Sequence, residues 1–521
     1  MHRSSRRSFC TTVALTASTL ICRSARSSTS PNVVYILADD LGFGDVHFLN
    51  PDRGRLPTPN IDRLSNEGMT FMNAHSGSAV CTPTRYGILT GRYAWRSKLQ
   101  TGVLLPYGTP LIPPNRLTVP AMLRSRGYAA ACIGKWHLGW DWPKENGKPV
   151  FDRAIPGGPT AVGFDRYFGT DVPNYPPYCF IENDRTVGIP SVEKPASMYG
   201  SPGIMLPGWQ LDKILPALVD RAGLFIRQQT ARKHPFFLYL ALTSPHTPLA
   251  VSQEWKGKSG LGLYGDWVMQ TDRAAGEVLR TLEESGAAKN TLVIFTSDNG
   301  CAPYIGVDYD VEHDKMGRVK ELEDKGHYPS ARFRGYKSDI WEGGHHIPFI
   351  ARWPGAVKAG ARCDEVICLT DLMATLAELI DYKLPANAAE DSVSMIPALR
   401  GKALGRPLRE ATVHHSIQGK FAIRQGGWKL ALCAGSGGWS HPTDSEAAAS
   451  NLPEVQLYDM LNDPGETRNL RKEQPAIVQR LSDLLVRYIE NGRSTPGARQ
   501  HNDVPVDVRK KAAAKSQPTD D

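Results

Sequence analysis

Asp39 and Asp40 close the apolar run at residues 31–38, and Asp298 and Asn299 follow the apolar run at residues 292–296. All four offer hard oxygen donors, and no Cys or His spacing competes with them. That donor set suits Ca²⁺, with Mg²⁺ as the alternative. Either pair alone reads better as a cap or a turn; two pairs, each ending an apolar run, point to a site. Cys81 has Pro83 two residues on and Arg85 two further. Pro83 suits the first turn of a helix, which places Cys81 just before a helix N-terminus, where backbone N–H groups and the dipole favour an oxyanion. Arg85 lies one turn in and can reach back to residue 81. Lys135 and His137 lie between Gly134 and Gly139, His246 between Pro245 and Pro248, and Lys337 between Gly335 and Asp339. Lys135 and His137 can converge on one anion. Cations and imidazoles are the groups that neutralise an anionic ester and protonate its leaving oxygen. Singly, each is more often a surface residue, and a lone Cys a buried structural one.

The elements that must hold these groups alternate in type. Segments 31–38, 128–133, 236–242, 292–296 and 347–352 are apolar without alternation and read as buried strands. Segments 58–64, 82 onward, 117–126, 215–230, 267–285 and 369–379 read as helices. This is an α/β pattern, a mixed and mostly parallel sheet flanked by helices. Carboxylates at the C-terminal ends of parallel strands sit where open α/β sheets place their sites. The rhythm changes near residue 385. A hairpin with Gly at its turn (421–432), a short strand (456–459) and an amphipathic helix (475–491) make a smaller C-terminal α+β subdomain. The expected division is a segment at 1–30, a main domain at 31–385, the subdomain at 386–495, and a polar, disordered tail at 496–521. Residues 157–207 are rich in Gly and Pro and read as a functional loop.

Composition excludes some classes. Hydrophobic residues make up 41% and charged residues 22%, as in an ordinary globular protein. The net charge is +8, and the five arginines of residues 1–30, which carry no acid, leave +3 for the rest. No basic stripe with interleaved aromatics suggests nucleic acid, and no run is long and apolar enough to span a bilayer. Ser5-Arg6-Arg7-Ser8-Phe9 with the mildly apolar stretch 11–21 resembles a twin-arginine export signal, which implies a periplasmic or secreted location. The nine cysteines show neither zinc spacing nor a disulfide framework.

Together these residues closely resemble the type I, formylglycine-dependent sulfatases, relatives of the arylsulfatases in the alkaline phosphatase superfamily. The likeness runs from about residue 31 to about residue 490. The first signature, 81–92, matches at its fixed positions; the second, 127–137, departs at Ala130, where the family has Thr or Ser. That position lies inside a strand, so a packing difference with retained chemistry is expected. The resemblance implies an alkaline phosphatase-like fold and oxidation of Cys81 to formylglycine by a maturase. It implies Ca²⁺ held by Asp39, Asp40, Asp298, Asn299 and the modified Cys81. Arg85 and Lys135 would position the formylglycine hydrate, and Lys337 and His246 would contact the sulfate, with His246 the acid for the leaving alcohol. His137 would take a proton from the second hydroxyl of the hydrate. The expected reaction is sulfate ester hydrolysis, exo-acting on a sulfated carbohydrate of the galactose- or N-acetylgalactosamine-6-sulfate type. The competing reading is a formylglycine-dependent phosphodiesterase or phosphonate monoester hydrolase. Loops at 171–178, 182–185, 313–314 and 342–346 carry side chains suited to a sugar ring.

Overall fold

A computed structural model describes residues 30–306 and 318–509. Nearly all of the export segment, residues 510–521 of the tail and the His313–Asp314 pair lie outside the described residues. Ten strands form one sheet. In chain order they are β1 (Asn32–Asp39), β2 (Met69–His75), β3 (Ala129–Gly134), β4 (Arg166–Gly169), β5 (Ile181–Glu182), β6 (Arg185–Thr186), β7 (Phe236–Pro245), β8 (Thr291–Ser297), β9 (Phe349–Arg352) and β10 (Ala361–Cys368). Their order across the sheet is β10-β2-β9-β8-β1-β7-β3-β4-β5-β6. The centre, β8-β1-β7-β3-β4, is parallel; β9 runs antiparallel to both its neighbours. The sheet is therefore mixed and mostly parallel.

The central strands read as continuous apolar runs because both faces are covered. Val33, Tyr35 and Leu37 of β1 enter one apolar layer, and Val34, Ile36 and Ala38 the other. The helices α1 (Pro59–Glu67), α2 (Cys81–Thr90), α3 (Val119–Arg124), α4 (Ile214–Ala231), α5 (Gly262–Glu284) and α6 (Leu372–Leu379) flank the sheet. None of the described helices is long and apolar enough to cross a membrane. Ala130 is fully buried within β3, so the departure from the second signature is a packing position. A second, antiparallel sheet joins β11 (Thr412–His415), β12 (Phe421–Gln425), β13 (Trp428–Ala431) and β14 (Gln456–Asp459), backed by α7 (Pro475–Glu490).

Two expectations change. The tail does not begin at 496. Asp503 pairs with buried Arg92 at 3.0 Å, and Asn502 accepts from Arg96 at 2.9 Å. Residues 496–509 read as disordered because they are polar, yet that polarity supplies a counter-ion to buried Arg92 and an amide acceptor to buried Arg96. The second change is at Cys81, which is the first residue of α2 rather than the one before it; Val80 is the N-cap. The seven cysteines among the described residues are all free.

Candidate active site

Four parallel strand ends and one helix start converge on one place. Asp39 ends β1, with Asp40 after it; β3 ends at Gly134, before Lys135; β7 ends at Pro245, before His246; and β8 ends at Ser297, before Asp298. Gly134 is required at its turn: its φ is +117°, and a Cβ there would meet Ala241 O at 1.7 Å. Asp40 (φ 63°), His137 (φ 55°) and Ser338 (φ 81°) all sit in the left-handed region. Such conformations cost free energy and cluster where surrounding structure imposes them.

The carboxylates and cations interlock. Arg85 Nη2 donates to Asp298 Oδ2 at 2.7 Å and lies 3.4 Å from Asp39. Lys135 Nζ lies 2.8 Å from Asp39 Oδ2. Lys337 Nζ lies 3.0 Å from Asp40 Oδ2 and 3.3 Å from His246 Nε2. Ligand atoms of Asp39, Asp40, Cys81 and His246 all lie within 4.8 Å of one another. Asn299 Nδ2 donates to Asp40 Oδ1 at 2.7 Å, while its Oδ1 is buried with no partner. An orphaned amide oxygen beside three buried carboxylates fits a hard cation. Burial raises Asp298, and repulsion from Asp39 adds to it. Burial would also raise Asp39, but Lys135, His246 and Arg85 hold it well below the usual carboxylate range. Crowded carboxylates of this kind are relieved by a divalent ion.

The proton-transfer groups are set by their hydrogen bonds. His246 Nδ1 donates to Thr247 O, which turns the lone pair of Nε2 towards Lys337. Burial lowers its pKa to about 4, helped by Lys135 and Lys337, so the imidazole is neutral and the shared proton rests on Lys337. His137 Nε2 bonds Leu104 O at 2.9 Å, and its Nδ1 is buried and unpartnered. Lys135 and His137, expected to converge on one anion, have separate partners here. Burial pushes the Cys81 thiol well up, against Lys135 and Lys337. Residue 81 is thus held as a neutral thiol, a poor nucleophile.

Two site residues escaped the sequence reading. Tyr304 and Trp439 flank Lys337, with ring centroids 5.8 and 5.9 Å from Nζ and 5.9 Å from each other. Trp439 comes from the C-terminal sheet region and is anchored through its N–H to Ser338 Oγ and Asp339 Oδ1. No local spacing links residue 439 to residue 337, so no motif could have found it. Of the expected sugar-facing loops, Tyr175 packs edge-on against His137 at 5.8 Å, and Glu182 is tied to Arg221 at the sheet edge.

Residues 342–346 are not a sugar loop. Glu342 is fully buried between Lys429 (3.2 Å), Arg424 (3.0 Å) and His346 (2.8 Å), joining the two sheets. His75, His345 and His414 surround it, close enough to suggest a metal. The rings of His345 and His414 stack at 4.0 Å and 7°, so their lone pairs run parallel rather than converging. Lys429 and Arg424 already donate to His345 and His75. The cluster is a polar junction between the sheets. Burial would raise Glu342, but Lys429, His75 and Arg424 hold it well below its ordinary 4.5. Its stabilisation is therefore complete above pH 4.5 and lost as pH falls below it. Glu342→Gln is expected to cost roughly 3–5 kcal/mol at neutral pH. In urea titrations from pH 6 down to pH 2, stability should fall less steeply below pH 4.5 in the variant than in the parent; equal slopes in that lower range would contradict the assignment.

The sulfatase family model matches residues 31–382. The chain is 33% identical over 498 residues to an N-acetylgalactosamine-6-O-sulfatase of Bacteroides thetaiotaomicron, covering 88% of this chain and 93% of that one. It is 30% identical over 485 residues to human arylsulfatase A, covering 87% of each. A solved structure from work on glycosaminoglycan metabolism by Bacteroides thetaiotaomicron superposes with a TM-score of 0.77 at 32% identity, covering 88% of this chain and 99% of that one.

Proposed function

The chain belongs to the sulfatase family, as a type I sulfatase and sulfuric ester hydrolase of the alkaline phosphatase superfamily, and we propose that it acts on a sulfated carbohydrate through a formylglycine made from Cys81. The observation that carries this reading is the meeting of Cys81, at a helix N-terminus, with Asp39, Asp40 and His246 within 4.8 Å. Asp39, Asp40, Asp298 and Asn299 would hold a divalent ion, Ca²⁺ by donor type, which neutralises charge on the ester and lowers the pKa of an attacking hydroxyl. Formylglycine supplies geminal hydroxyls, one to attack sulfur and one to permit release of sulfate by elimination.

The remaining chemistry belongs to side chains already in place. Three carboxylates and three cations (Arg85, Lys135, Lys337) balance, so a divalent ion leaves the shell positive and suited to an anionic ester. Lys337 and His246 share one proton, and an anionic ester beside them favours its transfer to His246 and on to the leaving oxygen. His137 Nδ1 carries the lone pair that accepts a proton from the hydrate. Arg85 and Lys135 orient Asp298 and Asp39, and through them residue 81. Proposed further are a maturase partner, and export directed by the arginine pair Arg6-Arg7.

The names of the relatives support an N-acetylgalactosamine-type 6-sulfate; a galactose-type 6-sulfate and exo cleavage are proposed beside it. Turnover of a panel of such saccharides tests it, and failure to release sulfate from any of them would count against it. Trp439, half-buried beside Lys337 and backed by the buried Tyr304, is the ring offered to a sugar face. Trp439→Ala should raise KM for the accepted saccharide about tenfold, with kcat little changed and Trp439→Phe recovering most of the loss. Parallel loss of kcat in both variants would show a structural role instead.

A further inference from the structure

A groove of about 540 Å³ lies between the main and C-terminal parts, apart from the Cys81 centre. Arg53, Arg332 and Arg334 line it with Tyr328, Phe333 and Thr467. Arg53 lies 3.5 Å above the Tyr328 ring and donates to Ala331 O; Arg332 lies 5.6 Å from the Phe333 ring; Arg334 lies 3.6 Å above Trp341 and donates to Glu466 O. Aromatic stacking pre-sets Arg53 and Arg334, which lowers the ordering cost of using them. Among the described residues none of the three forms an ion pair, whereas the site's Arg85 and the buried Arg92, Arg96, Arg409 and Arg424 all do. Glu323 and Glu466 line the same groove; Glu466 is neutralised by Lys429, while Glu323 accepts from the Tyr336 hydroxyl and keeps its charge. Three planar guanidiniums without ion pairs outnumber the two lining carboxylates, one of them neutralised by Lys429, so the groove stays positive and suits bidentate capture of sulfate or carboxylate groups. Arg334 is three residues from Lys337, a span of at most about 11 Å along the chain, so one short segment joins the groove wall to the catalytic loop.

We propose that this groove is a second anion site, binding sulfate or carboxylate groups of the same glycan whose terminal sulfated sugar occupies the Cys81 centre. This rests on the carbohydrate reading above. A several-sugar anionic chain would then bind at two places, gaining affinity that a monosaccharide cannot. The test uses full-length protein, the Arg53→Ala/Arg332→Ala double variant and a chondroitin 6-sulfate decasaccharide as probe. Affinity is measured by calorimetry at two salt concentrations, and aryl sulfate turnover is measured alongside. The expected result is at least roughly tenfold weaker decasaccharide binding in the variant, with a shallower salt dependence and aryl sulfate turnover unchanged. Equal binding by both proteins, or no binding by the parent, overturns the proposal. Failure of the parent to release sulfate from any saccharide would instead count against the carbohydrate reading, and the binding comparison would still decide the groove.

Discussion

Cys81→Ser leaves almost no turnover, with kcat lower by roughly 10⁴ or more, in keeping with loss of a nucleophile. The reason is structural as well as chemical. Residue 81 is enclosed by Asp39, Asp40 and His246 at the start of α2. Burial pushes its thiol up, so it cannot act as a thiolate. A serine hydroxyl could attack sulfur once, but it has no geminal hydroxyl and so no route to eliminate the sulfate. A single slow turnover that leaves sulfated protein is the expected behaviour of the variant. Stability should change little, since Ser and Cys are similar in size and the charged groups nearby bond one another. Pre-steady-state kinetics with an aryl sulfate would show the difference; sustained turnover by the variant would sink the covalent scheme.

The second large effect is at His246. His246→Ala should lower kcat on sugar sulfates by roughly 10²–10⁴, the usual contribution of a positioned acid. A sugar alkoxide is a poor leaving group and needs its proton early; a nitrophenolate does not. The loss on nitrophenyl sulfate should therefore be much smaller. The expectation rests on the Nδ1 bond to Thr247 O, which fixes Nε2 towards Lys337 at 3.3 Å. Asp40 lies 3.7 Å from the same nitrogen. Equal losses on both substrates would make His246 an electrostatic or packing residue. Leaving-group dependence, rather than the size of either loss, is the discriminating quantity.

The parts of the site that sequence made legible share one physical origin. Asp39, Lys135, His246 and Asp298 each follow an apolar, non-alternating run, and such runs become central parallel strands whose ends meet. Periodicity therefore predicted their convergence before any coordinate was known. Cys81 was legible through the resemblance of residues 81–92 to the sulfatase signature, with Pro83 placing it at a helix start. Trp439 and the Glu342 junction were not legible, because their partners lie about a hundred residues away and come from a different sheet. Residues 342–346 looked like a polar loop because a buried, fully paired charge cluster has the composition of a surface one. The order of residues 496–509 was hidden for the same reason: the carboxylate of Asp503 and the amide oxygen of Asn502 serve Arg92 and Arg96, four hundred residues earlier.

The central claim is that Cys81 is a precursor and that its oxidised form does the chemistry. Preparations made with different levels of a formylglycine-generating maturase would contain different converted fractions. Mass spectrometry of the peptide holding residue 81 reads that fraction directly, since conversion removes one sulfur and two hydrogens and adds one oxygen. The account predicts that sulfate ester turnover rises in proportion to the converted fraction and extrapolates to nearly zero at none. Full activity in a preparation holding only unmodified Cys81 would contradict it.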